Sequence, residues 1–174
     1  RKPCVLHLAH KLGGGAQQHI DEFAALNRDR FISLQLVPRK EGQSVDLRFF
    51  SGGVVLHDTL HFDLPREYSE LIELLRGLRV AHVHFHHTMG LPPCLWSIAS
   101  ELGCEYDFTI HDFYLINGNP TLTDASANYV DINSTDFDQR CSDHYSLPPG
   151  VNAEIWRKNQ SALLQKARHV IFPS

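Results

Sequence analysis

The chain lacks the features that announce several common classes of protein. It contains no C-x-x-C pair. Its four cysteines, Cys4, Cys94, Cys104 and Cys141, stand far apart and read as separate thiols in a reducing compartment rather than as a disulfide framework. No apolar run approaches the ~20 residues that a membrane-crossing helix requires. Basic residues are not in excess. Sixteen Lys and Arg stand against twenty Asp and Glu, a formal net charge of −4, so neither nucleic acid nor an anionic membrane is the expected main partner. The sequence opens without an initiator Met, and no signal peptide is expected from its first residues. It opens Arg-Lys-Pro-Cys and ends at Ile171-Phe172-Pro173-Ser174, directly after an expected strand. The expectation from these ends is a fragment of a cytoplasmic protein, with contact at the inner face of the membrane left open.

What the sequence does contain is a regular alternation of elements. Val5–Ala9 is a short apolar run ending in Gly13-Gly14-Gly15, as a buried strand followed by a turn would be. Ala16 to Asn27 carries Ile20, Phe23 and Ala24 at helical spacing. Phe31–Val37 alternates as a strand, and Val45–Phe50 and Val54–His57 flank Ser51-Gly52-Gly53 as a hairpin or two short strands. Pro65 opens a helix with Tyr68, Leu71, Ile72 and Leu75 on one face. Strand Val80–Phe85, a helix from Pro92 or Pro93 to Gly103, strand Phe108–Ile110, helix Ala153–Ala167 and strand His169–Phe172 complete the series. The pattern predicts an α/β fold in which a parallel, Rossmann-like sheet carries helices on both faces. Ligands of such sheets sit outside the carboxyl ends of the strands. Residues 113–152, rich in Asp, Asn, Ser, Thr and Pro, break the rhythm and read as a long irregular loop in the same region.

Three groups of residues carry candidate chemistry. Gly13, Gly14 and Gly15 separate the first strand from the first helix, where a bare backbone and a helix N-terminus can meet phosphate or sugar. A dehydrogenase is not expected. The glycines do not spell G-x-G-x-x-G, and strand Phe31–Val37 offers no acidic residue for a ribose. His82, His84 and His86 alternate along one face of a strand and are followed by His87. His-x-His is a frequent metal-ligand pair, but Thr88-Met89-Gly90-Leu91 supplies no carboxylate. No metal is expected, and His86, His87 or Thr88 is expected to meet a polar ligand instead. His111-Asp112 ends a strand, and histidine there can donate to a developing anion or carry a proton.

Taken in order, these segments resemble a known family. Val5-Leu6-His7-Leu8 with Gly13-Gly14-Gly15-Ala16-Gln17-Gln18-His19-Ile20 is similar to the opening of the N-terminal domain of family 4 glycosyltransferases of GT-B architecture. So are the run from His82 to Pro92, the segment Phe108-Thr109-Ile110-His111-Asp112-Phe113-Tyr114, and the stretch from Ile155-Trp156-Arg157 to Val170-Ile171-Phe172-Pro173-Ser174. The resemblance implies that residues 1–174 form the single acceptor-side domain of a retaining enzyme whose C-terminal, donor-binding domain is absent here. The fragment alone would then be inactive. The implied partners are a nucleotide-sugar donor, a glycan or lipid-linked acceptor and that missing domain, with no cofactor and no metal. By resemblance, His111 is the catalytic candidate. Gly13, Gly14, Gly15, His86, His87, Asp112, Phe113 and Tyr114 are the donor- or acceptor-binding candidates. Two other readings stay open: a metal-dependent hydrolase built on the His82–His87 cluster, and a non-catalytic Rossmann-like binding module.

Overall fold

The computed structural model describes residues 2–40, 42–51, 54–148 and 150–172. Gly52 and Gly53 of the expected hairpin turn, Pro149, and Pro173-Ser174 of the last family-like segment lie outside the described residues. The chain divides into two compact units, Arg1–His111 with Ala167–Ser174, and Asp112–Lys166.

Among the described residues, the first unit is built on a seven-stranded sheet. Its strands are β1 (Cys4–Leu8), β2 (Ile32–Lys40), β3 (Ser44–Ser51), β4 (Val54–Asp63), β5 (Val80–Phe85), β6 (Glu105–Thr109) and β7 (His169–Ile171). Their spatial order is β4-β3-β2-β1-β5-β6-β7. Strands β2, β1, β5, β6 and β7 run parallel, while β3 is antiparallel to both β2 and β4. The fold is therefore α/β, and the expected parallel sheet is met only in part, because β3 and β4 make the sheet mixed. The cause is connection length. A parallel neighbour needs a crossover of about a dozen residues or more. Only residues 41–43 separate β2 from β3, and only 52–53 separate β3 from β4, so the chain can do nothing there but fold back on itself.

Strand β1 is buried along its whole length, as a central parallel strand covered on both faces must be. Its alternate residues serve two chemistries. Leu6 and Leu8 point one way and are sealed from solvent with Val83 and Phe85 of β5. His7 points the other way, beneath α1 (Gly14–Leu26), and packs edge-on against Phe23 of that helix. On the same side Ala9 joins Ile20, Ala24 and Phe50 in an apolar cluster. Helix α2 (Tyr68–Gly77) buries Leu71, Ile72 and Leu75. A 3-10 turn at Pro93–Ser97 leads into α3 (Ile98–Leu102), and Gly103 ends it in the left-handed conformation that glycine adopts without a side-chain penalty.

The second unit contains α4 (Tyr114–Asn117), α5 (Phe137–His144) and α6 (Ala153–Lys166). The stretch 113–152 is thus not irregular throughout. Leu122, Val130, Phe137 and Cys141 form its core, with Ile116 packed against them. The indole N–H of Trp156 donates to the Tyr114 carbonyl at 3.0 Å, and Arg157 forks onto both carboxylate oxygens of Asp138 at 2.9 and 3.0 Å. No disulfide joins the described cysteines. No described helix is long and apolar enough to cross a membrane.

Candidate functional site

The glycine turn sits where β1 hands over to α1. Gly13 and Gly14 both take positive φ, 75° and 71°, a conformation that side chains disfavour by roughly 1–2 kcal/mol. Gly13 occupies the N-cap without a side-chain cap, and the first turn of α1 holds no acidic residue. A Cβ at Gly13, Gly14 or Gly15 would meet nothing within 4 Å. The helix start is therefore an electropositive, backbone-only surface, the form of site that takes an anionic oxygen. A small cavity of about 140 Å³ opens beside it, lined by His10, Lys11, Leu12, Pro38, Met89 and Gly90.

Next to this turn the sheet changes direction. From β1 the chain crosses to β2 on one side, and β5 lies on the other. This is the switch point whose crevice is the usual ligand position in open α/β sheets. His86 and His87 continue β5, their backbone N–H groups both donating to the Leu8 carbonyl, at 2.8 and 3.3 Å. Both side chains are buried, as is Thr88. His87 Nδ1 accepts the Met89 N–H at 2.9 Å, and its ring packs edge-on against His10. His111 follows the end of β6, where the N–H of Ile110 donates to the carbonyl of Ile171, the last residue of β7.

The structure brings His86 and His111 together. Their Nδ1 and Nε2 lie 3.5 Å apart. Two residues that were not candidates from the sequence complete the group. His7 of β1 places Nδ1 at 3.1 Å from His86 Nε2, and His19 of α1 packs edge-on against His84, His86 and His111. His84 stacks on His86 with ring centroids 4.0 Å apart, and its Nε2 meets the Thr109 hydroxyl at 2.8 Å. Asp112, Phe113 and Tyr114 belong to the second unit. There Asp112 accepts the Tyr114 N–H at 2.9 Å and so opens α4, Tyr114 packs edge-on against Trp156, and Phe113 is exposed.

Burial decides the charge of this cluster. Desolvation holds His7 and His86 well below the ordinary imidazole range, and the surrounding histidines push the same way. His84 is lowered to about 4, again chiefly by burial, although Asp107 opposes the shift. These rings are neutral near pH 7. Asp107 behaves oppositely. Burial alone would raise its carboxyl, but hydrogen bonds from His169 and His82 hold it below the usual carboxylate value. Among the described residues, two overlapping sets could hold a metal, His7-His84-His86 and His19-His86-His111. In each set the ligand atoms all lie within 4.8 Å of one another.

Fold and site together define an α/β protein with a mixed sheet, a glycine turn at a helix N-terminus and a neutral histidine cluster at its switch point. No family model matches the chain, and no curated protein or solved structure matches it either.

Proposed function

We propose that the chain is the N-terminal, acceptor-side half of a two-domain retaining glycosyltransferase similar to family 4, moving a sugar from a nucleotide-sugar donor to a glycan or lipid-linked acceptor. One observation carries the reading. A backbone-only anion site, Gly13 to Gly15, and a strand-end histidine, His111, converge on the same switch point as His86. In this reading α1's N-terminus takes phosphate, and His111 donates to the donor's sugar or phosphate as charge builds on the leaving diphosphate. His86 and His87 support that edge of the cleft. Asp112, Phe113 and Tyr114 of the second unit are acceptor contacts by the resemblance alone. That unit, taken by itself, carries an open hollow of about 650 Å³, whose lining includes Asp138, Asp143, Asn152 and Arg157, side chains suited to sugar hydroxyls. No metal takes part in the transfer.

The test is a transfer assay on the complete protein with a panel of nucleotide sugars, with and without a chelator. Chelator-resistant transfer that falls by roughly 10²–10³ in His111→Ala, the usual loss for one donor to a developing anion, is the expected result. Circular dichroism should be unchanged in the variant. Transfer that is indifferent to His111→Ala would remove this residue from the mechanism. Hydrolysis abolished by chelation would instead favour a metal-dependent hydrolase on the histidine cluster.

A further inference from the structure

Three imidazoles converge at the switch point from three different elements. His19 stands on α1, His86 directly follows β5, and His111 follows the end of β6. Each offers a ring nitrogen, and these nitrogens all lie within 4.8 Å of one another. Between His86 Nδ1 and His111 Nε2 the distance is 3.5 Å. The ring centroids are 5.1 Å apart for His19 and His86, 5.7 Å for His86 and His111, and 5.8 Å for His19 and His111.

These are the spacings of imidazoles that share one ion. An imidazole nitrogen binds zinc at about 2.0–2.1 Å, which puts the ring centroid about 3.2 Å from the metal. At angles between tetrahedral and trigonal, two such rings have centroids roughly 5.2–5.5 Å apart and nitrogens roughly 3.3–3.6 Å apart. All three centroid distances agree with this to within a few tenths of an ångström. The overlapping set His7-His84-His86 does not pass the same test. His84 and His86 are stacked at 4.0 Å and 27°, and an imidazole lone pair lies in the plane of its ring, so these two cannot both aim at one ion. His7 has a supporting place instead. Its Nδ1 lies 3.1 Å from His86 Nε2, the nitrogen that does not face His111, and a hydrogen bond of this kind is what orients a ligating imidazole.

We propose that His19, His86 and His111 form a three-nitrogen site for a divalent transition-metal ion of the zinc class. The donor set selects the ion. Imidazole suits zinc, cobalt, nickel and copper, whereas magnesium and calcium require oxygen. His86 is buried while His19 and His111 are half-buried, so the ion has a way in from solvent and retains an open coordination position. No carboxylate follows β5, but α1 supplies a third imidazole, from a part of the sequence remote from the other two. An ion held there takes a nitrogen of His111 and pins its ring, so it opposes sugar transfer. That consequence rests on the transferase reading; the binding does not.

The test is titration of the metal-free protein with Zn²⁺, and with Co²⁺ as a visible-absorption probe. One ion per chain should bind, Mg²⁺ should not compete, and the ring-nitrogen resonances of ¹⁵N-labelled His19, His86 and His111 should shift together. His19→Ala puts a good helix former on α1 and should leave the circular dichroism unchanged. It should weaken Zn²⁺ binding by more than about 10-fold, since even a supporting residue is worth that much. His61→Ala, on the exposed face of β4, should bind as the wild type does. Absence of stoichiometric binding, or binding equally tight in His19→Ala, would overturn the proposal. In the transfer assay Zn²⁺ should inhibit the wild type at concentrations that spare His19→Ala, each measured against its own metal-free rate. A complete protein that binds zinc through these residues and transfers no sugar defeats the transferase reading alone. Active transfer by a protein that binds no zinc defeats this proposal alone.

Discussion

The residue that separates backbone geometry from ligand approach is Gly15. Gly13 and Gly14 are required by their positive φ, so replacing them confuses strain with function. Gly15 has no such requirement, and a Cβ there meets nothing within 4 Å. Lying in the first turn of α1, it costs helix stability of roughly 0.5–1 kcal/mol relative to alanine. Gly15→Ala should therefore raise the melting temperature slightly while lowering transfer, because the added methyl stands where a phosphate would come against the backbone. Equal or better transfer in that variant would show that no ligand approaches there. The histidines divide in a related way. His82, His84 and His86 are visible in the sequence because period two puts them on one face. His7 and His19 are visible only once β1 is known to lie beside β5 and beneath α1, a matter of strand order. One signal was present all the same. A histidine among Val5, Leu6 and Leu8, in a strand expected to be buried on both faces, has to find a polar partner inside.

Among elements, the hairpin of β3 and β4 was legible from its turn residues, whereas the reversal at β2–β3 was hidden by an expectation of parallel pairing. Helix α5 was hidden by its own composition. Phe137 and Cys141 alone form its buried stripe, and two apolar positions four apart in a polar run give too thin a period to read. What orders this part of the second unit is a side chain. Asn119, sealed from solvent, donates through Nδ2 to the carbonyls of Thr123 and Cys141 at 2.6 and 3.1 Å. Its Oδ1 accepts the N–H and hydroxyl of Thr121 at 3.0 and 3.1 Å. It thereby ties the loop after α4 to the end of α5. Asn119→Ala strands several of these groups at once and should cost about 2–4 kcal/mol, at the rate of ~1–3 kcal/mol per buried unsatisfied group. Hydrogen exchange should show the loss first in amides of Asp112–Lys166. Unchanged exchange there would mean that water replaces the side chain without penalty and that Asn119 is not the tie.

At the scale of the molecule, one face of the sheet is polar where a core is normally apolar. Registered across adjacent strands lie Gln35, His7, His84, Asp107 and His169, with His82, His86, His19 and His111 near them. The ordinary imidazole value of 6.5 applies to these histidines in the unfolded chain, while in the folded chain His84 is lowered to about 4 and His7 and His86 fall well below 6.5, all chiefly by burial. Below pH 6.5 the unfolded state therefore binds more protons than the native one, and stability must fall as pH falls. Each such ring removes up to about 1.4 kcal/mol per pH unit until its folded value is reached. The contribution of His84 is complete above 6.5 and lost progressively down to about 4. Asp107, whose folded value is also lowered, adds a loss of the same sign at still lower pH. Three rings together, over the first one or two units, take away several kcal/mol, comparable with the roughly 5–15 kcal/mol by which a domain is stable. Urea unfolding at about pH 7.5 and about pH 5 should show that drop, and His84→Leu should make the dependence shallower. A stability that stays level across this interval would mean that the cluster takes up protons without unfolding. The neutral histidine layer on which the site is built would then not exist.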